Sequence, residues 1–590
     1  MPQQRRSLFA TFAVIFMIVS STLFALGFVL VASSLFGRNR VSIPSRGVLH
    51  IKLDGPLVEH AEIKLSHLLG EPKPTTLRSV TDSIRRAGND KRIVGVLIDI
   101  GSPELGVAQL QELEDAMAQF RASGKWTEAF METAGDGSRG TGAYAAAILA
   151  DKVILAPPGD VNLVGIEAES MFFAGTFEKL DIKVHFEQRY EYKNAANQFT
   201  EKAFTPAHRE SLKALVDDLQ ADVVHHIAAR RKVDEAQARA WISGGPYLAP
   251  QALEHKLVDR LAYWDEVQKE VDDLTGDRDR LIELQHYWED GRLHDSGPAI
   301  GLIEVSGAIV RGESPSGVAR DNVGSDTISR GLREARDAKV KGVLLRIDSP
   351  GGSYIASDVA RREVEVTRNA GIPVVVSMGS VAASGGYFIA MDSDYIVAEP
   401  STITGSIGVY AGGFAVREAL NKWLGITVDA YRTMPNANVF SQTTPFTPER
   451  IAVMKAGADR VYQDFVSKVA ARRNKDFAAI DAVAKGRVWS GKAALERGLV
   501  DELGSAELAL KRLRERVGLA DTAQVTLTEY PESKGAWEVI RQMLTGGTAA
   551  DLTALRQGPW RDAVDAYEES RALFETTGAV MAMPVGVRIH

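Results

Sequence analysis

The sequence predicts an α/β protein made of two copies of one domain behind a membrane anchor. Three observations carry this. Short β-branched runs alternate with amphipathic helical stretches, the order that implies parallel strands joined by helices. A set of motifs recurs in order in the second half of the chain. The run Ser7–Gly37 holds no charged residue. The 590 residues, 45% hydrophobic and 25% charged, suit about three or four domain-sized units of an ordinary globular chain. The net charge of −8 argues against a nucleic-acid-binding surface. The absence of cysteine removes thiol nucleophiles, disulfides, iron–sulfur clusters and cysteine-ligated zinc, and suits an oxidising compartment.

After a short segment, 1–6, the uncharged run 7–37 reads as a transmembrane helix. It exceeds the ~20 residues that cross a bilayer and the ~7–15 of a cleaved signal-peptide core, which favours an uncut anchor over cleavage at the weak Val31-Ala32-Ser33 site. Arg5 and Arg6 precede it and Arg38 and Arg40 follow it, so charge alone does not fix its orientation.

The two copies are expected at 47–276 and 298–505. His50-Ile51-Lys52-Leu53-Asp54-Gly55 is matched by Leu302-Ile303-Glu304-Val305-Ser306-Gly307. Gly95–Ile100 is matched by Gly342–Ile347, Tyr144–Pro157 by Tyr387–Pro400, and Ala252–Asp259 by Ala494–Asp501. A separation of this length marks duplicated domains, since solenoid repeats recur every ~20–50 residues. The charged stretch 277–297 reads as a linker, and 506–590 as a helical tail without a counterpart, with a packing helix at Trp560–Phe574. Val343–Ile347 and Val374–Ser377 read as buried strands, with a helix over Asp358–Arg368 between them. Groups that bind or react tend to sit in the turns after such strands.

Two glycine-rich turns stand there. Asp348-Ser349-Pro350-Gly351-Gly352-Ser353 follows a strand, and its glycines let the backbone bend tightly and present N–H groups to an oxyanion. The same pattern also suits an ordinary tight turn. Ser384, in Ala382-Ala383-Ser384-Gly385-Gly386-Tyr387, opens a predicted helix among small residues, where its hydroxyl is unobstructed and the helix dipole favours negative charge. It reads as a nucleophile or as a helix cap. A nucleophilic serine needs a base. From Ser296 onward the sole histidine is His590, which leaves lysine as the common alternative. An ordinary lysine pKa of about 10.4 must fall by ~3 units, at a cost of about 4 kcal/mol, so such a base needs a dry pocket. His225-His226 reads as a solvated helix face rather than a metal site.

Together, Ser349-Pro350-Gly351-Gly352, Met378–Tyr387 and Thr402-Ile403-Thr404-Gly405-Ser406-Ile407-Gly408-Val409 resemble the signal peptide peptidase A family, membrane-bound serine proteases, in its long duplicated bacterial form. The resemblance covers nearly the whole chain. It implies tandem Clp protease/crotonase-like domains and a Ser–Lys dyad. Ser384 is the implied nucleophile. Lys193, in Tyr192-Lys193-Asn194-Ala195 of the first copy, is the implied base, with Lys202 its nearest rival. Ser406 is the implied partner of the lysine nitrogen, and the N–H groups of Gly352 (Gly351 as fallback) and Gly385 are the implied oxyanion donors. The repeat fits one composite site. Ser384 falls on Thr141, the glycine turn falls on Gly101-Ser102-Pro103-Glu104-Leu105, which lacks the glycine pair, and Lys193 falls near Met434-Pro435. The resemblance further implies remnant signal peptides and similar apolar peptides as substrates. It implies no metal or organic cofactor. It also implies a homo-oligomer, a tetramer, standing on the periplasmic face of the bacterial inner membrane. A crotonase-like acyl-CoA enzyme and a non-catalytic membrane scaffold are the competing readings.

Overall fold

In the computed structural model the chain is described over residues 43–60, 74–278, 280–314 and 322–532, and at the short strands 580–582 and 588–589. The expected anchor at 7–37 and the helix at Trp560–Phe574 lie outside these residues. Among the described residues no helix is long and apolar enough to cross a membrane.

The first copy folds around a six-stranded parallel sheet. Its strands run in the spatial order Leu281–Glu283, Gly47–Pro56, Ile93–Glu104, Trp126–Met131, Lys152–Leu155, Arg260–Leu261. The central strands read as unbroken apolar runs because helices cover both faces. One face packs Leu49, Ile51, Val96 and Ile98 against Val80 and Ile84 of the helix Leu77–Asn89 and Leu113 and Met117 of the helix Val107–Arg121. The other face packs Val48, Leu97 and Phe130 against Val267 and Val271 of the helix Trp264–Thr275.

The second copy repeats this plan in an eight-stranded sheet. Val374–Ala383 pairs with Val343–Ser349, Val343–Ser349 with Ala299–Ser306, and Ala299–Ser306 with Thr526–Glu529, all in parallel. Equivalent hydrogen bonds recur. Tyr144 Oη donates to the Leu257 carbonyl at 3.0 Å, as Tyr387 Oη does to Leu499 at 2.9 Å. Asp259 accepts from the Val153 N–H as Asp501 accepts from Ile396, both at 2.8 Å.

The ends of the copies differ from the sequence expectation. The strand Leu281–Glu283 and the helix Leu284–Asp290 fall in the stretch read as a linker, and the strand pairs with the first strand of its own copy. The tail is not wholly helical: Thr526–Glu529 pairs in the same way in the second copy. The helix Ala506–Arg516 lies on the second sheet through Ala509, Leu510 and Leu513, as Trp264–Thr275 lies on the first. The beginning of the tail thus has a counterpart in the first copy.

A third, six-stranded sheet is shared. Its order is Asn322–Gly324, Ala308–Val310, Gly351–Ser353, Val580–Ala582, Val409–Ala415, Lys183–Arg189. Lys183–Arg189 of the first copy pairs antiparallel with Val409–Ala415 of the second over seven residue pairs, from Val409 opposite Arg189 to Ala415 opposite Lys183. This pairing carries the chain after Arg189 into the second copy.

Candidate active site

Ser384 stands between the strand Val374–Ala383 and the short helix Gly385–Ala390. Two hydroxyls fix the approach to it: Thr402 Oγ1 donates to the Gly379 carbonyl at 2.8 Å and Thr404 Oγ1 to that of Ala382 at 2.7 Å. The Ser384 N–H is bound to the Gly405 carbonyl at 2.8 Å. At φ 54° and ψ −111°, Ser384 lies where a residue with a Cβ is strained, a feature that clusters at functional sites.

Lys193 comes from the other copy. Beyond the shared strand, the N–H groups of Tyr190 and Tyr192 donate to the Lys485 carbonyl at 3.0 and 3.2 Å, and Asn194–Ala196 forms a single 3₁₀ turn. Just after Lys193 in sequence, Ala195 and Ala196 join Tyr410 in a small buried apolar cluster, with Phe186 packed against it. Lys193 Nζ lies 2.8 Å from Ser384 Oγ, 2.9 Å from Ser406 Oγ and 3.0 Å from the Ser406 carbonyl oxygen. Lys193, Ser384 and Ser406 are each 0% exposed. Burial drives the Lys193 pKa well below the ordinary lysine value, since the ammonium form loses its hydration there. Lys202 is elsewhere: it is exposed and paired with Glu178 at 2.6 Å.

The two glycine turns meet beside Ser384. A Cβ on Gly385 would stand 3.1 Å from the Gly352 nitrogen and 2.5 Å from Ser357 Oγ, so only glycine admits this approach. The Gly351 N–H donates to Ser349 Oγ at 3.1 Å, which engages the fallback donor. Beneath the turn, Asp348 accepts from the Val381 N–H at 2.8 Å and joins the two turns. Burial, reinforced by nearby Glu59, pushes its pKa up to about 7.

Sequence reasoning missed Gly486 and Gly408. Gly486 has φ +82°, and a Cβ there would lie 2.4 Å from Lys193 Cβ. A Cβ on Gly408 would lie 2.5 Å from the Arg189 carbonyl oxygen. Both keep side-chain bulk out of the lysine's path. Gly408 sits inside the Gly405-Ser406-Ile407-Gly408 motif, a signal that could have found it; Gly486 has none.

Thr141, which occupies the place of Ser384 in the first copy, has its hydroxyl committed. It donates to the Val164 carbonyl at 2.6 Å and accepts from the Val164 N–H at 2.9 Å. The place of Lys193 in the second copy falls near Met434-Pro435. Among the described residues no group of three or more His, Cys, Asp or Glu could hold a metal ion.

Comparison with known proteins agrees with this duplicated plan. The model of peptidase family S49 matches residues 131–277 and 366–520, once in each copy. Protease 4 of Salmonella typhi is 33% identical over 536 residues, which cover 86% of this chain and 84% of that protein. Protease 4 of Haemophilus influenzae is 30% identical over 82% of this chain and 81% of its own length. The chloroplastic serine protease SPPA of Arabidopsis thaliana is 28% identical over 82% and 71%. A twice-matched family model, and a relative alike over most of both lengths, establish that the chain belongs to peptidase family S49 and is a serine protease.

Proposed function

We propose that this protease works through a Ser384–Lys193 dyad assembled from both copies. The observation that carries the reading is the 2.8 Å separation of Lys193 Nζ and Ser384 Oγ in a site closed to water. A neutral amine has two N–H donors and one lone pair. Here the donors point to Ser406 Oγ and the Ser406 carbonyl, and the lone pair accepts the Ser384 proton. Ser384 Oγ attacks the peptide carbonyl carbon as its proton passes to Lys193. The N–H groups of Gly352 and Gly385 stabilise the oxyanion, each by about 3 kcal/mol. The C–N bond breaks as Lys193 returns the proton to the leaving amine. Water, deprotonated by Lys193, then hydrolyses the ester.

The substrates are uncharged, apolar peptides such as remnant signal peptides, an assignment supported by the family. Tandem Clp protease/crotonase-like domains are the finer reading of the two mostly parallel sheets. The run 7–37 anchors a homo-oligomer, a tetramer, to the bacterial inner membrane with its bulk in the periplasm. A fluorophosphonate probe tests the dyad. Covalent labelling at Ser384, lost in Lys193→Ala, is the expected result. A Lys193→Ala chain that cleaves an apolar peptide at the unmodified rate would overturn it.

A further inference from the structure

Lys193 ends a short loop, Tyr190–Lys193, between the strand Lys183–Arg189 and the turn Asn194–Ala196. Beside the lysine, Tyr192 Oη donates to Glu210 Oε2 at 3.0 Å. Glu210 belongs to the helix Pro206–Arg231 of the first copy. Its other oxygen, Oε1, accepts from Arg487 Nη1 of the second copy at 2.7 Å. The Arg487 guanidinium also lies over two rings, 4.8 Å from the centre of Tyr192 and 4.4 Å from that of Trp489. The main chain of Arg487 serves the other side of the site: its carbonyl accepts the Ser406 N–H at 2.7 Å. Its neighbour Gly486 is the residue that packs against Lys193. Arg487 thus touches, through its side chain and its backbone, the loops that carry Lys193 and Ser406. The helix bearing Glu210 is fastened to the second copy further along as well, where Ser490 Oγ donates to Asp218 Oδ2 at 2.6 Å. Glu210 is therefore presented from a fixed support.

We infer that Tyr192, Glu210 and Arg487 are positioning residues for the base: the carboxylate draws the lysine loop of the first copy and the arginine of the second onto one point, and this clamp aims Lys193 at Ser384. Hydrogen bonds from Tyr192 and Arg487 lower the Glu210 pKa, which keeps the carboxylate anionic. The phenol is its donor, and the guanidinium, which does not give up its charge, is its counterion. The carboxylate is more than half exposed, and an exposed ion pair adds little to global stability. Its leverage is geometric. A displacement of the reacting atoms by about 1 Å costs on the order of 10²-fold in rate. A loop that lifts also admits water to the amine, and a rehydrated amine regains part of its basicity. The two effects leave a joint signature, a lower kcat and a base that titrates at higher pH, which a mere loss of folded protein does not produce.

The inference rests on the dyad reading, and the test separates the two. Tyr192→Phe, Glu210→Gln and Arg487→Met are assayed in the full chain for kcat, KM and the pH dependence of kcat/KM, beside Lys193→Ala. Each clamp variant is expected to lose about tenfold in kcat at unchanged KM, with the rise of kcat/KM displaced toward higher pH by about half a unit or more. Because the groups act through one contact, Tyr192→Phe combined with Glu210→Gln should cost little more than either change alone. Arg487→Lys, which keeps a cation for Glu210, should recover part of the loss seen in Arg487→Met. A native kcat and an unmoved pH profile in Glu210→Gln, a change at an exposed position, overturn the inference, and so does a loss confined to KM. A fall in kcat with the profile unmoved marks a structural role alone and overturns it as well. Lys193→Ala at the native rate sinks the dyad and the clamp with it, whereas an inactive Lys193→Ala beside clamp variants at the native rate sinks the clamp alone.

Discussion

Arg346 of the second copy grips Glu59 of the first through two parallel hydrogen bonds, Nε to Oε2 and Nη2 to Oε1, each 2.9 Å. Its remaining Nη1 lies 2.6 Å from Glu112, also of the first copy, and donates to Ser377 Oγ at 2.8 Å. All three charged groups are buried, so the arginine is a buried cation that ties the two copies together. Removing one member of such a cluster strands the others without solvent. Arg346→Ala is expected to destabilise the protein by about 3–5 kcal/mol, read from chemical denaturation. An effect below about 1 kcal/mol would mean that the copies are held together elsewhere.

Lys193→Arg tests whether the amine must be neutral. Guanidinium keeps a charge and donors but cannot give up its proton at working pH. It should reduce kcat at least ~10³-fold, and Lys193→Ala should do the same. In the native protein kcat/KM should climb with pH as Lys193 loses its proton. Because burial lowers that pKa, the climb is complete well below pH 10.5. A pH–rate profile still rising at pH 10 would assign the base to a solvated lysine.

Burying the same amine has a cost in stability, and its sign is fixed. The unfolded lysine titrates near ~10.4, above the folded value. The penalty is absent above that pH and grows as pH falls toward the folded pKa, because the unfolded chain gains a proton that the folded chain refuses. Lys193→Met removes the penalty. It should be inactive, yet more stable than the native chain at pH 7 by about 1–2 kcal/mol after the lost hydrogen bonds are counted. That advantage should shrink toward pH 10, which thermal unfolding at the two pH values reads directly.

Ser406→Ala removes one of two acceptors for the lysine N–H groups and leaves the backbone carbonyl at 3.0 Å. The lysine becomes less well aimed but stays buried. A fall of about 10–100-fold in kcat with little change in KM is expected for such a positioning loss. A KM effect alone would place Ser406 in peptide binding instead.

Gly486→Ala alters no reacting group. Its Cβ would meet Lys193 Cβ at 2.4 Å on backbone already at φ +82°, so the lysine must shift. A misplacement of about 1 Å costs on the order of 10²-fold in rate. Peptidase assays and fluorophosphonate labelling should fall together, while the cross-copy strand pairing, followed by amide exchange at 409–415, persists.

The architecture was legible because duplication writes it twice. Apolar runs such as Val343–Ile347 can be strands of a covered sheet, and the matching runs of the other copy repeat the message. The type of base also followed from the residues, since a second copy without an internal histidine leaves lysine. Which lysine did not follow: Lys193 and Lys202 are near neighbours in sequence, and one ends up sealed while the other is solvated. Only the pairing of Lys183–Arg189 with Val409–Ala415 decides this, and such a long-range partnership leaves no local periodicity. The short edge strands Leu281–Glu283 and Thr526–Glu529 escaped for a related reason. Three or four residues are too few to show alternation, and the surrounding charge made the first resemble a linker.

That shared strand pairing also imposes an order of events on a chain made from its N-terminus. In the proposed dyad the amine is synthesised long before the hydroxyl it serves, and Gly486, which makes room for it, comes later still. A half-finished polypeptide holds a lysine with nothing to activate, and the second copy by itself holds a serine with nothing to activate it. On the proposed dyad, cutting power switches on only when the two halves have docked.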